Sequence, residues 1–471
     1  MNSWKSMGTA FAAASALLVA ACTEAPANEG EDATTDQTVV PSGVASGGGT
    51  SNGKFLHLSD IHFDPFADLT ILQDLDNASI DKWESILDGG DNKHIAYGRH
   101  IDSNWALFKS ALTAASDAGP YDYVLYTGDY LRHNFETAAP GVIKDPNAFA
   151  VKTVDFVNMK LKNTFKKTPI ISALGNNDSG IGDYQLEPSG PFLDGIADEM
   201  PGVDETKARE KQFKSGGYYR IPHPTVAKHD FLVLSIYWSR LYDYKCYTDS
   251  PSLAAGDDQM TWLTGELAKS SNTVTLLMHI PPGVDGFKGY QRDPKSMWCE
   301  DGKFETEFET ALAGSKGKLI GAYAGHTHMD EFRVLASSGT PYLAVRMNPS
   351  ISPSNSNHPA FSVVSYDTST GAMKDYTTIA LTNAAKDLSP SDAKWGETYT
   401  FTTAYSVSDY APSTMEKLAT DIQSAGSTQQ KTFGSNYASG ANTPAEHSWD
   451  AKYFACALTE LNLTDYNSCT G

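Results

Sequence analysis

The feature that most constrains the fold is a recurrence. Short apolar runs alternate with helix-length segments, and five of the runs end in side chains that carry exposed lone pairs. The first spans Lys54 to Pro65. There Phe55, Leu56 and Leu58 suit a buried strand, and Asp60-Ile61-His62 follows where the run gives out. A carboxylate and an imidazole two residues apart leave a strand end on the same side, which is a metal-ligand geometry. Alone, the pair is as readily a turn or a helix cap.

Four further clusters remove that ambiguity. Gly128-Asp129 follows a strand at 121–126, Gly175-Asn176-Asn177-Asp178 follows 169–174, His279 follows 273–278, and Gly325-His326-Thr327-His328 follows 319–324. A continuous apolar run at 231–238 supplies one more strand. Helices are predicted over 102–119, with Trp105, Phe108, Leu112 and Ala115 on one face, and over 148–165, 257–270 and 303–313. Strands separated by helices of this length form parallel units with right-handed crossovers. Open α/β sheets hold ligands beyond the carboxyl ends of their strands, where each cluster emerges.

After Met329 the pattern shortens. Strands at 331–335, 342–346, 361–366 and 373–379, joined by tight turns, predict a second sheet of antiparallel character. The architecture expected is therefore two packed sheets with helices outside. From about residue 385 two helices are predicted, 413–424 and 445–461, the latter placing Trp449, Phe454, Leu458 and Leu461 on one side as a helical cap over 385–471.

Composition narrows the function. A net charge of −21 and a pI near 4.9 argue against sequence-independent nucleic-acid binding, which depends on Lys and Arg replacing counterions. Residues 1–21 carry one lysine, an Ala/Leu/Val run shorter than the ~20 residues that span a bilayer, and small residues before Cys22, as in a secretory signal. Cys22 after two alanines resembles a bacterial lipobox, so lipidation and outer-membrane or periplasmic localisation are expected. Residues 22–53 hold no aromatic side chain and read as a flexible acidic tether. Setting Cys22 aside leaves four cysteines, for which the local pairing is expected: Cys246 with Cys299 and Cys456 with Cys469. The second closes a short loop with a chain-entropy gain of about 3 kcal/mol.

The ordered set Asp-x-His, Gly-Asp, Gly-Asn-x-Asp, His and Gly-His-x-His resembles the calcineurin-like metallophosphoesterase superfamily. The stretches Ser59 to Pro65, Gly128-Asp129 with Arg132-His133, His279 to Gly283, Gly325 to Phe332, and Asn348 to Pro353 resemble its acid sphingomyelinase-like phosphodiesterase and endopolyphosphatase branch. The likeness covers residues 54 to about 379 and, more loosely, the C-terminal cysteine-bearing helix.

The resemblance implies a four-layer αββα sandwich of two mixed β-sheets, with a catalytic domain over 54–384. It also implies two divalent metals. Asp60, His62, Asp129 and His328 would hold one, and Asp129, Asn176, His279 and His326 the other, with Asp129 bridging. Zinc suits this mixed donor set, and iron or manganese also fits one position. Two dications outweigh two carboxylates, so phosphate is attracted even in an acidic protein. The implied reaction is in-line attack on phosphorus by a metal-bridging hydroxide.

The chain departs from its relatives at Asn177, where sphingomyelinase-like members carry a histidine. An amide cannot transfer a proton, which leaves His133 as the candidate leaving-group acid and makes phosphoanhydrides a rival to phosphodiesters. Sphingomyelinases carry a saposin domain that extracts lipid where this sequence is expected to have its tether, and Ile101 stands where relatives have a cysteine. The loop 64–101 is expected to border the pocket, with Tyr97, Arg99 and His100 as substrate contacts. Residues 179–217 and the loop bearing Cys246 and Cys299 are expected to form the remaining rim. The expected partner is a phosphate-containing small molecule, a lipid headgroup or polyphosphate, acted on by a monomer. A surface lipoprotein that keeps the fold without turnover is the different-class alternative; seven intact candidate ligands argue against it.

Overall fold

The computed structural model describes residues 52–138, 141–239, 252–299, 302–442 and 450–471. The signal segment, Cys22, nearly all of the tether, Cys246 and Trp449 lie outside the described residues.

Among the described residues, twelve strands form two six-stranded sheets. In chain order they are β1 (Asn52–Leu58), β2 (Tyr123–Tyr126), β3 (Ile170–Ser172), β4 (Tyr219–Pro222), β5 (His229–Val233), β6 (Thr273–Leu277), β7 (Leu319–Ala324), β8 (Glu331–Ser337), β9 (Thr340–Met347), β10 (Ala360–Asp367), β11 (Met373–Leu381) and β12 (Trp395–Thr400). The first sheet runs β12-β11-β10-β1-β2-β3 and the second β4-β5-β6-β7-β9-β8. Each has a parallel part, β1-β2-β3 and β5-β6-β7-β9, with antiparallel pairing toward one edge of the first sheet and at both edges of the second.

This corrects the expectation that the strands after Met329 make a sheet of their own. They divide instead, β8 and β9 extending the second sheet while β10 to β12 extend the first. β1 lies between β2 and β10, with Phe55 opposite both Tyr123 and Val364. The segment expected to open the helical cap begins with β12, whose Thr400 pairs with Thr377 of β11. The run at 231–238 stops being strand at Val233 and closes in a turn, where the Ser239 amide donates to the Ile236 carbonyl at 2.8 Å. The strand expected from Lys54 already pairs at Asn52, opposite Asp367.

Aromatic side chains fill the space between the sheets. Phe55 of β1 meets Tyr323 of β7 edge-on at 5.4 Å, and Tyr123 of β2 meets Phe231 of β5 at 5.9 Å. Burying rings of this size dominates core energetics. Outside the first sheet, Phe63, Trp105 and Phe156 pack helices Trp105–Asp117 and Pro146–Phe165 onto it. Outside the second, Trp238, Trp298 and Phe308 do the same for helix Lys303–Gly314. The order is therefore helix, sheet, sheet, helix, the four-layer sandwich expected.

The C-terminal region is helical, with segments Pro412–Gln423, Thr428–Tyr437, Ala451–Cys456 and Leu463–Thr470. The last two are joined by the Cys456–Cys469 disulfide. Cys299 is buried, its amide donating to the Trp238 carbonyl at 3.0 Å. Among the described residues, no helix is long and apolar enough to cross a membrane.

Candidate metal centre and substrate cavity

The turns beyond β1, β2, β3, β6 and β7 are zipped together by main-chain hydrogen bonds. The amides of Asp60 and His62 donate to the carbonyls of Gly128 and Asp129 at 3.0 and 2.9 Å, and the Gly325 amide donates to the His279 carbonyl at 2.9 Å. Asp178 pins two of the turns at once. Its buried carboxylate accepts from the amides of Asp129, Tyr130, Leu131 and Gly175 at 2.7 to 3.1 Å. Burial, then the neighbouring Asp129 charge, push the pKa of Asp178 up to about 7.

Five of the seven candidate ligands sit in the left-handed backbone region: Asp60 (φ 48°), His62 (45°), Asp129 (58°), His326 (78°) and His328 (68°). Such residues cost on the order of 1–3 kcal/mol each and persist where surrounding structure holds them, typically at functional sites. Here the conformation turns successive side chains inward at the sheet edge. Two glycines let the turns meet. A methyl at Gly175 would overlap the amide and carboxylate of Asp129, and one at Gly325 would overlap the Ser59 hydroxyl and Asp60 carboxylate.

All seven side chains expected at the metal centre converge. His62 Nε2 lies 3.0 Å from His328 Nε2 and 3.3 Å from Asp129 Oδ2. His328 Nε2 lies 3.5 Å from Asp60 Oδ1. On the other side, His279 Nε2 lies 3.1 Å from the same Asp129 oxygen and 3.0 Å from Asn176 Oδ1, which is 2.8 Å from His326 Nδ1. Asp129 Oδ2 thus stands between two groups of donors.

The proton positions follow from the outer contacts. His62 Nδ1 meets the Leu131 carbonyl at 2.9 Å, and His279 Nδ1 meets the Thr127 carbonyl at 2.7 Å. A carbonyl only accepts, so Nδ1 carries hydrogen and each neutral ring turns a bare Nε2 inward. Lone pairs from two imidazoles, two carboxylates and an amide oxygen therefore face one another at 3.0 to 3.9 Å. Such a set fits divalent cations of borderline hardness, and the tied outer nitrogens are the support that metal-bound histidines have. Burial lowers the proton affinity of His279, but Asp129 and Asp60 outweigh it and push its pKa up to about 9, so at neutral pH the inward Nε2 carries a proton that a bound cation would displace. The same field attracts a cation. Burial, then the His133 charge, bring His62 down to about 4.

His133 stands beside the cluster, its ring stacked on His62 with centroids 4.1 Å apart. Its Nδ1 donates to Asp102 at 3.0 Å, and its amide donates to the same carboxylate at 2.9 Å. Burial works against the charged ring, but the Asp102 hydrogen bond and charge prevail and raise its pKa. Asn177 donates twice to Asp129. Its amide reaches Oδ1 at 2.8 Å and its side-chain nitrogen reaches Oδ2 at 3.0 Å.

The cluster opens into a cavity of about 850 Å³. Arg99 and His100 line it, whereas Tyr97 is not among the lining residues and packs edge-on against His358 at 5.9 Å. Of the segment 179–217 only Asp183 and Tyr184 reach the cavity; helices Pro191–Ile196 and Lys207–Gly216 lie within the rest of it. The far wall was not foreseen. It comes from the short helix Gly286–Tyr290 with Tyr437 and Phe454 of the C-terminal region, Phe454 stacking on Tyr290 at 5.9 Å. The Asp102 contact was also missed, because no local pattern pairs an aspartate with a histidine 31 positions further on.

Residues 53–330 match the calcineurin-like phosphoesterase family, and residues 340–471 match the acid sphingomyelin phosphodiesterase C-terminal region. The chain is 25% identical over 441 residues to human acid sphingomyelinase-like phosphodiesterase 3b, covering 88% of this chain and 90% of that one. It is 23% identical to the cyclic GMP-AMP phosphodiesterase of Rattus norvegicus, covering 90% and 92%. It is also 23% identical to sphingomyelin phosphodiesterase A of Dictyostelium discoideum, covering 90% of this chain and 69% of that one. With strand-end carboxylates and imidazoles gathered inside a match that spans more than half of its length, the chain belongs to the calcineurin-like phosphoesterases and is a metal-dependent phosphoric ester hydrolase.

Proposed function

We propose that the protein is an acid sphingomyelinase-like phosphodiesterase with a dinuclear centre, zinc being the ion its donors suit best. Asp60, His62, Asp129 and His328 hold one ion, and Asp129, Asn176, His279 and His326 the other. The observation that carries this reading is the inward convergence of bare imidazole nitrogens, carboxylates and the Asn176 oxygen around one oxygen of Asp129. Two ions bound there supply Lewis acidity at the phosphoryl oxygens and a nucleophile at neutral pH.

The chain's own residues do the rest. The tied outer nitrogens of His62 and His279 keep both rings from turning. Asn177 holds the Asp129 carboxylate by one donor on each oxygen, so its amide is committed to Asp129. His133, held by Asp102 at Nδ1, turns Nε2 to the cavity as donor to the departing oxygen. Phosphodiesters of small molecules are the substrate class, as the names of the relatives suggest for those proteins.

The test is the purified full chain, loaded with zinc or manganese and assayed on a generic aryl phosphodiester, sphingomyelin, a cyclic dinucleotide and polyphosphate. Diester hydrolysis that requires metal, and that His279→Ala nearly abolishes, is expected. Stoichiometric metal without turnover of any substrate supports the non-catalytic reading instead, and turnover of polyphosphate alone supports the phosphoanhydride reading.

The protein is further proposed to be exported and lipidated at Cys22. The Cys456–Cys469 disulfide fits an oxidising compartment. Labelled fatty acid should enter the wild type in a bacterial host and not Cys22→Ser; equal labelling of both would remove this assignment.

A further inference from the structure

We infer that Asp183 is a positioning residue that sets which end of the Asn176 amide faces the metal centre, and so governs affinity for one of the two ions. This rests on the dinuclear reading above. An asparagine amide is nearly symmetric in shape, yet only its oxygen ligates a hard or borderline cation. Turned by half a rotation, Asn176 would present N–H groups to His279 Nε2 and His326 Nδ1, which lie 3.0 and 2.8 Å from its oxygen. Something on the other side of the amide must distinguish the two orientations. Asp183 does so, because Asn176 Nδ2 donates to its Oδ1 at 2.6 Å and an ionised carboxylate can only accept.

The loop that carries Asp183 is registered on the same residue. The Tyr184 amide donates to the Asn176 main-chain carbonyl at 2.7 Å, and Tyr184 itself adopts a left-handed φ of 60°. The Tyr184 hydroxyl lies 3.5 Å from His326 Nε2, with the two rings edge to face at 6.2 Å. Two consecutive residues of the segment after β3 thus reach over Asn176 and His326, both members of the same half of the centre. His279, the remaining imidazole of this half, is held by the Thr127 carbonyl, and His62 of the other half by the Leu131 carbonyl, neither of which a side-chain substitution removes.

The test is metal affinity, read by stepwise competition with a chromophoric chelator on zinc-loaded full-length protein, alongside metal analysis of each variant. Wild type should release two ions in two resolved steps. Asp183→Ala should weaken one step by about 10–100-fold and leave the other unchanged. Asp183→Asn, nearly isosteric, should weaken the same step, since an amide at 183 can satisfy either orientation of Asn176. The decisive variant exchanges the pair. In Asn176→Asp with Asp183→Asn, the new amide donates to one carboxylate oxygen and leaves the other inward, so most of the lost affinity should return. Equal weakening of both steps, unchanged affinity in Asp183→Asn, or failure of the exchange to recover affinity each overturn the inference. A wild-type protein that binds no metal overturns the dinuclear reading itself, and the two failures are told apart by that first measurement.

Discussion

The Asp102–His133 pair is a charge-assisted contact whose worth depends on a proton. Asp102 accepts from the His133 ring, from the His133 amide and from the Ser352 hydroxyl at 2.9 Å, and is almost fully buried. Burial opposes its ionisation, but the His133 contacts prevail and hold its pKa well below the usual carboxylate range. The same pairing raises His133, so the ring stays protonated to a higher pH than free imidazole. In the proposed reaction the protonated form is the acid, so turnover of substrates with poor leaving groups should fall as pH rises through that raised pKa. Asp102→Asn removes the charge that raises it and should move this alkaline limb to lower pH. His133→Ala should slow alkyl phosphodiesters by about 10²–10⁴-fold and aryl diesters with activated leaving groups far less. Equal slowing of both classes would eliminate His133 as the acid. His133 could be named from its place four residues after Asp129, but its partner could not. Asp102 lies 31 positions earlier, on a loop whose path only the tertiary structure defines. Asn177 was similarly readable as a residue that cannot transfer protons and unreadable as a clamp on Asp129.

At the scale of elements, strand ends and the glycines beside them do the positioning. Gly325 begins the turn after β7, and any side chain there meets the Ser59 hydroxyl and Asp60 carboxylate. Because the His326 amide donates to both Asp60 oxygens at 3.1 and 3.2 Å, displacing the carboxylate also disturbs the turn that carries His326 and His328. Gly325→Ala should therefore yield folded protein with reduced metal content and strongly reduced turnover. Gly321→Ala, in β7 itself with open space around the added methyl, should retain both. Metal analysis of the two purified variants checks this, and full metal in Gly325→Ala would mean the turn has slack that its contacts do not suggest. The parallel strands were legible because they are apolar runs bounded by glycine and ligand residues, as at β1 and β7. β4 was not, being four residues with an arginine and a proline, nor was β12, which lies in a polar stretch. The partner of β10 was hidden for another reason. Its neighbour β1 is some 300 residues away in the chain, and a strand's own pattern says which face is buried but not which strand lies beside it.

For the whole molecule, the consequence is that the substrate cavity is walled by parts of the chain far from the ligands. Phe454 lies on the helix Ala451–Cys456, stacks on Tyr290 and meets Tyr437 at 5.0 Å, and so carries one side of the cavity into the C-terminal region. That helix is short and marginal alone, and the disulfide from its last residue to Cys469 ties it to the final helix. Tyr466 of that helix adds a hydrogen bond to the Tyr453 carbonyl at 2.8 Å. Closing a loop of 13 residues is worth about 3 kcal/mol by chain entropy, enough to decide whether so small a unit stays docked. Cys456→Ser should loosen this wall without touching the metal centre. The expected result is unchanged metal content, nearly unchanged kcat/KM on a small aryl diester, and a raised KM on a bulky phosphodiester that must rest against Phe454 and Tyr290. Amide hydrogen exchange over 451–470 should quicken while that of β1, β2 and β7 does not. A parallel loss on small and bulky substrates alike would mean that the C-terminal region supports the catalytic turns themselves rather than the cavity wall, and the division of labour argued for it would fall.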